Sequence, residues 1–397
     1  MNKFTVENEN LSFLKNRFKR YYKNNEVTLP DRFARREYAF VYFGGKGMFR
    51  HVTFHRKKDL YDFLSKKSPM HSYYSTAYYE DPDNPKMNNK GWMGAELIFD
   101  LDSDHLPEAE KYSYEEQLKM VKDEFIKLVE DFLINDFGFK RKYIELYFSG
   151  HRGYHCHIKD PNIFHLDGNE RREIVDYIIG RDIIDNIIFK EETTSSKKYG
   201  KRKYPSTKML KMPKPTKGGW KGRISRGIIE IVEEIVYSSN PYEKLQEYGV
   251  KKENAEKLLK DLSKERIERI KEGNLNQSKT IRKFFLNNAL RKKAVSSASG
   301  ETDEPVTCDI KRLIRLPGSL HGKTGLKVTE LHLDQIEDFN PLDDAIVFSD
   351  DEIKVNVKQR HEIYLNGNLF RLDKGIQKIP EFLAVYLIGK KIADKKT

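Results

Sequence analysis

Asp100 and Asp102 close the stretch LIFDLDSDH, residues 97–105, at the end of what reads as a hydrophobic strand. Side chains two apart on a strand project from the same face, and acidic residues are otherwise depleted from strands. Two carboxylates held that close repel, and one protonates unless a cation sits between them. Oxygen-only ligation of this kind suits Mg²⁺ or Mn²⁺. Two such ions can clamp a nucleoside triphosphate and activate a 3′-hydroxyl for in-line attack. A solvated strand end or an acidic turn leaves the same short pattern. Asp104 reads as a loop or capping residue, because the strand should be ending there.

Two further clusters bear on that choice. In SGHRGYHCH, residues 149–157, a Gly-framed turn exposes backbone N–H groups, and Ser149 and Arg152 add donors for phosphate oxygens. His155 and His157 alternate onto one face of the strand that follows, as a possible metal pair or as part of an ordinary hairpin. In DIKRLIRLPGSLHGKTG, residues 309–325, the acid Asp309 precedes the cations Arg312, Arg315 and Lys323, with His321 and the hydroxyl of Ser319. That set suits a triphosphate, and equally a basic loop lying against a strand. Three acids and two phosphate-suited loops in one chain make a consistent nucleotidyl-transfer site.

These residues need a scaffold, and the chain is long enough to supply one. It has 397 residues, 38% of them hydrophobic and 12% aromatic, which suits two domains or one large domain with an insertion. The two cysteines, Cys156 and Cys308, exclude a disulfide framework and a cysteine-rich zinc site. No apolar run approaches bilayer length and the first residues lack the apolar region of a signal peptide, so a soluble, cytoplasmic chain with no membrane partner is expected. The net charge of +12 points to an anionic partner without choosing one.

The patterning predicts helices over 10–23 and 57–67, a hairpin from 36 to 54 around GGKG, a loop over 80–91 and a strand over 95–102. A long helix over 112–138 should stop at Gly138, followed by strands 142–148 and 154–158 joined by SGHRG. Residues 190–223 are basic and Gly/Pro-punctuated and read as an exposed loop. Helices are then expected over 227–237, 254–272 and 279–294, and a turn-rich strand pattern returns from about 305. The last residues, KKIADKKT, read as a loose tail. The fold class is therefore mixed α/β (α+β), with residues 1–190 and 295–397 as the catalytic domain and 191–294 as a basic loop plus a small helical insertion.

WMGAELIFDLDSDH, YFSGHRGYHCHI and EPVTCDIKRLIRLPGSLHGKTGL, in that order, resemble the small, catalytic subunit of the archaeal and eukaryotic DNA primases in its archaeal form. REYAF, FRH and YYSTAYY upstream are similar to the same family. The resemblance covers residues 10–180 and 300–330 well, and the basic loop and helical insert poorly. It implies that Asp100, Asp102 and Asp309 bind two Mg²⁺ or Mn²⁺ ions. It places Ser149, Arg152, His155, Arg315 and His321 on the nucleotide's phosphates, with Glu37 and Arg50 near the nucleotide. It also implies the primase fold and a heterodimer with a large subunit that carries an iron–sulfur cluster in its own chain.

The implied reaction is template-directed synthesis of short RNA, and possibly DNA, primers from NTPs or dNTPs on single-stranded DNA. The alternatives are a primase-like repair polymerase that extends existing ends, a nucleic-acid-binding scaffold, and a metal-dependent nuclease. In one respect the chain departs from the family: many relatives carry a zinc knuckle soon after the paired aspartates, whereas here His105 is followed by LPEAEKYSYEEQ, without cysteine. No zinc site is expected. The basic residues of 190–226, interleaved with Tyr199, Tyr204 and Trp220, could track a template or form a solubilising loop.

Overall fold

A computed structural model of the chain describes residues 3–105, 109–181, 189–199, 202–276 and 279–396. The chain divides into two compact units. The first comprises Met1–Ile126, Phe139–Glu173 and Thr302–Thr397; the second comprises Lys127–Gly138 and Ile174–Glu301. The expected insertion, 191–294, lies within the second. The architecture is mixed α/β, as the sequence leads one to expect.

Two four-stranded antiparallel sheets frame the first unit. Their strands are β1 (Tyr38–Val41), β2 (Phe49–Val52), β3 (His71–Ser75), β4 (Leu97–Asp102), β5 (Ile144–Phe148), β6 (Gly153–Ile158), β7 (Leu313–Arg315) and β8 (Thr329–Leu331). One sheet runs β7-β3-β1-β2 and the other β8-β5-β6-β4. In β4, Phe99 and Leu101 are buried, so strand alternation turns Asp100 and Asp102 to the other face. The ladder sets Asp100 opposite His155 and Asp102 opposite Gly153. A Cβ on Gly153 would lie 2.0 Å from the Leu101 carbonyl oxygen, so only glycine fits opposite Asp102.

Helix Lys3–Asn24 buries Phe13, Leu14, Phe18, Tyr21 and Tyr22. Helix Lys57–Lys67 has the bounds the spacing predicts and buries Leu60 and Leu64. Helix Glu381–Gly389 is buried along its length, and its first acid, Glu381, is neutralised by Arg17 at 2.5 Å and by Arg20. The expected loose tail is instead a strand. Ala393–Lys395 pairs with Glu352–Val357, and Asn10 clasps it by donating to Asp394 Oδ1 at 2.8 Å and accepting from the Lys395 N–H at 2.7 Å. Short polar segments join a sheet edge through backbone bonds, which hydropathy does not register.

The second unit corrects the basic-loop expectation. Lys190–Tyr199 and Arg202–Lys211 form a long antiparallel ladder, and Asn274–Asn276 adds a third strand. The helix that follows begins at Gly219, inside the segment read as loop, and runs to Tyr237 with Ile224, Ile228, Val232 and Ile235 buried. The helix expected over 254–272 breaks at 262–263 into Lys252–Asp261 and Lys264–Lys271. That expected over 279–294 breaks at Asn287, which caps Asn288–Ala298 by accepting from the Ala289 N–H. No helix among the described residues is long and apolar enough to cross a membrane.

Candidate metal and triphosphate site

The acid pair at the end of β4 gains a neighbour from a distant segment. Asp303 donates its backbone N–H to the Asp100 carbonyl oxygen at 2.9 Å. It also caps the short helix Glu304–Cys308, accepting from the Val306 N–H at 3.2 Å. Burial, then the carboxylates of Asp102 and Asp303, push Asp100 up to about 7, against the opposing pull of Arg312 and Arg315. A buried acid raised by two like charges is a site whose charge balance a cation restores. Among the described residues no three acids, histidines or cysteines converge into a complete metal cage. Mg²⁺ sites in general need only one or two carboxylates, water and substrate phosphate oxygens completing the octahedron.

Asp309, the acid expected from the sequence as the third ligand, closes the same short helix as its C-cap. Its side chain accepts from the Lys311 N–H at 2.9 Å, its carbonyl accepts from the Arg312 N–H at 3.2 Å, and its charge acts on Tyr79 and Arg171. The helix thus carries an aspartate at each end, and the bond from Asp303 fixes its start to β4. Asp303 is the acid that sequence reasoning missed. The signal was in the chain: an aspartate followed by Glu-Pro is a helix start, and a cap is held where its helix is held.

The SGHRG turn supplies the donors. Ser149 is buried, and its hydroxyl accepts from the N–H groups of His151 at 3.4 Å and Gly153 at 3.3 Å. Gly150 has φ +78°, and a Cβ there would meet His321 Cβ at 2.9 Å, so the turn can press against the 321–326 loop. Thr324 fastens the two together by donating to the Gly150 carbonyl at 2.6 Å. The His151 ring stacks on His321, with centroids 4.5 Å apart. Arg152 forks onto both oxygens of Asp104 and holds its Nε 3.4 Å from Asp102 Oδ1. Asp104, read as a loop acid, thus occupies a guanidinium suited to phosphate.

His155, buried on β6, holds Nε2 3.5 Å from Asp100 Oδ1. Burial, His157 and nearby arginines hold it well below the ordinary histidine value, so it is a neutral partner. Arg315 on β7 stacks over Tyr73 at 5.2 Å and donates to His71 Nδ1 at 2.9 Å. Burial lowers it, against the pull of Tyr73, Asp100 and Asp102. His321 is buried with Nδ1 3.1 Å from the Thr324 hydroxyl, and burial with Arg315 keeps it uncharged. Two histidines that sequence reasoning missed complete the pocket. Burial and the Arg315 charge pull His71 down to about 3; burial and Lys390 pull His151 down to about 2. His71 sits in no motif and His151 sits inside SGHRG with no partner near it in sequence, so only the fold gathers them.

Glu37 and Arg50 form a cluster of their own on the first sheet. Glu37 is fully buried and accepts from Arg50 Nε at 2.9 Å and from the His51 N–H at 3.2 Å, with Lys90 Nζ at 3.4 Å. His157, which shares a face with His155, turns to Glu96 rather than to the acid pair, at 3.0 Å. Glu96 also pairs with the fully buried Arg36, which bonds Asp31 and Tyr78. Burial raises Glu96, but Arg36, His157 and Lys159 outweigh it and hold the acid well below its ordinary range.

A carboxylate cluster facing a pocket of cations and neutral imidazoles suits metal-assisted phosphate transfer. Residues 99–333 match the DNA primase small subunit family. The chain is similar to the DNA primase small subunit PriS of Methanosarcina barkeri, with 40% identity over 98% of this chain and 97% of the relative. It is likewise similar to the proteins of that name from Picrophilus torridus (38% identity, 96% of each chain) and Archaeoglobus fulgidus (38%, 95% of this chain and 96% of the relative). The chain belongs to the DNA primase small subunit family.

Proposed function

We propose that this chain is the catalytic subunit of a DNA primase, a nucleotidyltransferase that joins nucleotides on single-stranded DNA without a pre-existing primer, in partnership with a large subunit. The observation that carries this reading is the pair Asp100–Asp102 with Asp303 bonded beside it, Asp100 raised by burial and repulsion against the opposing pull of Arg312 and Arg315. Asp100 and Asp102, joined by Asp309, would hold Mg²⁺ or Mn²⁺, which when bound lowers the pKa of a 3′-hydroxyl and neutralises a departing pyrophosphate. Asp303 adds negative charge next to Asp100 and anchors the helix that ends at Asp309.

The chain's own residues do the rest. Arg315 and Arg152 carry positive charge to the phosphates, and the Asp104 carboxylate holds Arg152 ready until a phosphate displaces it. The buried Ser149 hydroxyl fixes the 149–153 turn by accepting two of its N–H groups. His155 and His321, kept neutral, hydrogen-bond without adding charge. Preorganised donors aimed at transferring phosphate oxygens supply most of the catalysis in such reactions.

The test is to incubate the purified chain with Mg²⁺ or Mn²⁺ and labelled nucleotides on unprimed single-stranded DNA, beside the Asp100→Asn, Asp102→Asn double variant. New short chains from the unsubstituted protein alone support the reading. Extension only of supplied primers, persisting after the large subunit is added, favours a repair polymerase.

A further inference from the structure

One cation in the pocket comes from the C-terminal helix, outside every motif. Lys390 follows helix Glu381–Gly389, and its backbone N–H closes the helix on the Tyr386 carbonyl at 2.9 Å. The helix is anchored by buried Phe382, Leu383, Val385 and Leu387, so the lysine stands on a rigid mount. Its ammonium lies over two rings, with Nζ 5.5 Å from the Tyr114 centroid and 5.8 Å from that of Tyr386. Its Nζ reaches His151 Nε2 at 2.9 Å, in the turn that carries Ser149 and Arg152. Tyr114 holds the same turn by donating to the His151 carbonyl. Gly389 seats the helix end against the 321–326 loop: a Cβ there would lie 2.5 Å from the Lys323 carbonyl oxygen.

The electrostatics of this position are unfavourable as they stand. Burial, Arg152 and Lys323 lower Lys390 to about 8, and Asp102 and Asp104 only partly offset them. Half-burying an ammonium among like charges costs free energy, and such costs collect where an anion completes the balance. His151, which receives the ammonium, is itself neutral and stacked on His321. The cluster therefore has one net requirement, a multiply charged anion with several oxygens. Resting on the nucleotidyl-transfer reading, we propose that Lys390 binds the phosphates of the incoming nucleoside triphosphate, so that the C-terminal helix forms one wall of the nucleotide site.

Binding of ATP, AMP and inorganic tripolyphosphate to the full chain in Mg²⁺, followed by calorimetry, tests it. Lys390→Met keeps an apolar stem of similar length and removes the charge; Lys390→Arg keeps the charge. Losing a charged hydrogen bond to phosphate should weaken ATP and tripolyphosphate about tenfold or more in Lys390→Met. AMP binding should be unchanged, and Lys390→Arg should recover most of the loss. Unchanged triphosphate affinity in Lys390→Met, or an equal loss for ATP and AMP, overturns the proposal and leaves Lys390 as a positioning residue for His151. Should Lys390→Met fail to fold, Lys390→Arg decides: near-normal triphosphate binding supports the proposal, and loss for ATP and AMP alike overturns it. If the unsubstituted chain binds neither ATP nor tripolyphosphate, the nucleotide-site reading itself fails; if it binds both and Lys390→Met is unaltered, only the role of Lys390 does.

Discussion

The backbone N–H of Asp303 is bonded to the carbonyl oxygen of Asp100 at 2.9 Å. Through that bond the cap of a short helix, distant in sequence, is fixed to the edge strand β4. A further acid is thereby set beside the Asp100–Asp102 pair, and its charge acts on Asp100.

That coupling has a pH signature. Without metal, Asp100 titrates near 7, well above an unfolded aspartate. The folded chain therefore binds a proton that the unfolded chain lacks between about pH 4 and 7, and metal-free stability falls as pH rises through that window. A divalent ion must displace the proton, so its affinity should weaken as pH falls below 7. Mn²⁺ titrations in two buffers of different ionisation enthalpy should show close to one proton released at about pH 6 and almost none at about pH 8. Equal release at both would contradict the assignment of Asp100 as a ligand.

The buried Arg36–Glu96 pair makes a different prediction. Both side chains are fully buried, and Glu96 also receives His157. Removing one partner strands the other's charge, so Glu96→Gln should cost about 3–5 kcal/mol at neutral pH in denaturant unfolding. Because Glu96 is depressed when folded, its contribution is present above the ordinary glutamate range and is lost as pH falls toward the folded value. The gap between Glu96→Gln and the unsubstituted chain should thus narrow only in strongly acidic solution.

One of the two readings of the basic segment 190–226, that it tracks a template, is testable on the hairpin of Lys190–Tyr199 and Arg202–Lys211. Replacing 190–211 by a short linker should lower affinity for single-stranded DNA and make its salt dependence shallower. The log–log slope should drop by about 0.7 for each phosphate that the hairpin had neutralised. Unchanged affinity and slope after the deletion would assign the hairpin another role.

How legible these features were in the sequence follows from what each rests on. The β4 strand, the hairpin around SGHRG and helix Lys57–Lys67 declare themselves through alternation, glycine turns and helical spacing, and the structure has them. The hairpin at 190–211 does not, because KEETTSSKKY and RKYPSTKMLK carry little apolar alternation, while the pairing itself is a backbone ladder. Asp303 has the look of an ordinary helix cap, and a tertiary hydrogen bond alone brings it to Asp100. His71 and Lys390 sit in no motif, and His151, though inside SGHRG, gives no sign in the sequence of the His321 and Lys390 that the fold brings to it.

The most direct test compares Asp309→Asn with Asp303→Asn for primer synthesis on unprimed single-stranded DNA with Mn²⁺, using Asp100→Asn as the inactive reference. The account predicts that Asp309→Asn matches Asp100→Asn, with synthesis down by about a thousandfold or more, as for a group on which transition-state charge stabilisation depends. Asp303→Asn should keep most of its activity, because asparagine caps a helix as well as aspartate does. Full activity in Asp309→Asn with loss in Asp303→Asn would show that the third carboxylate of the metal site is Asp303, and would contradict the account.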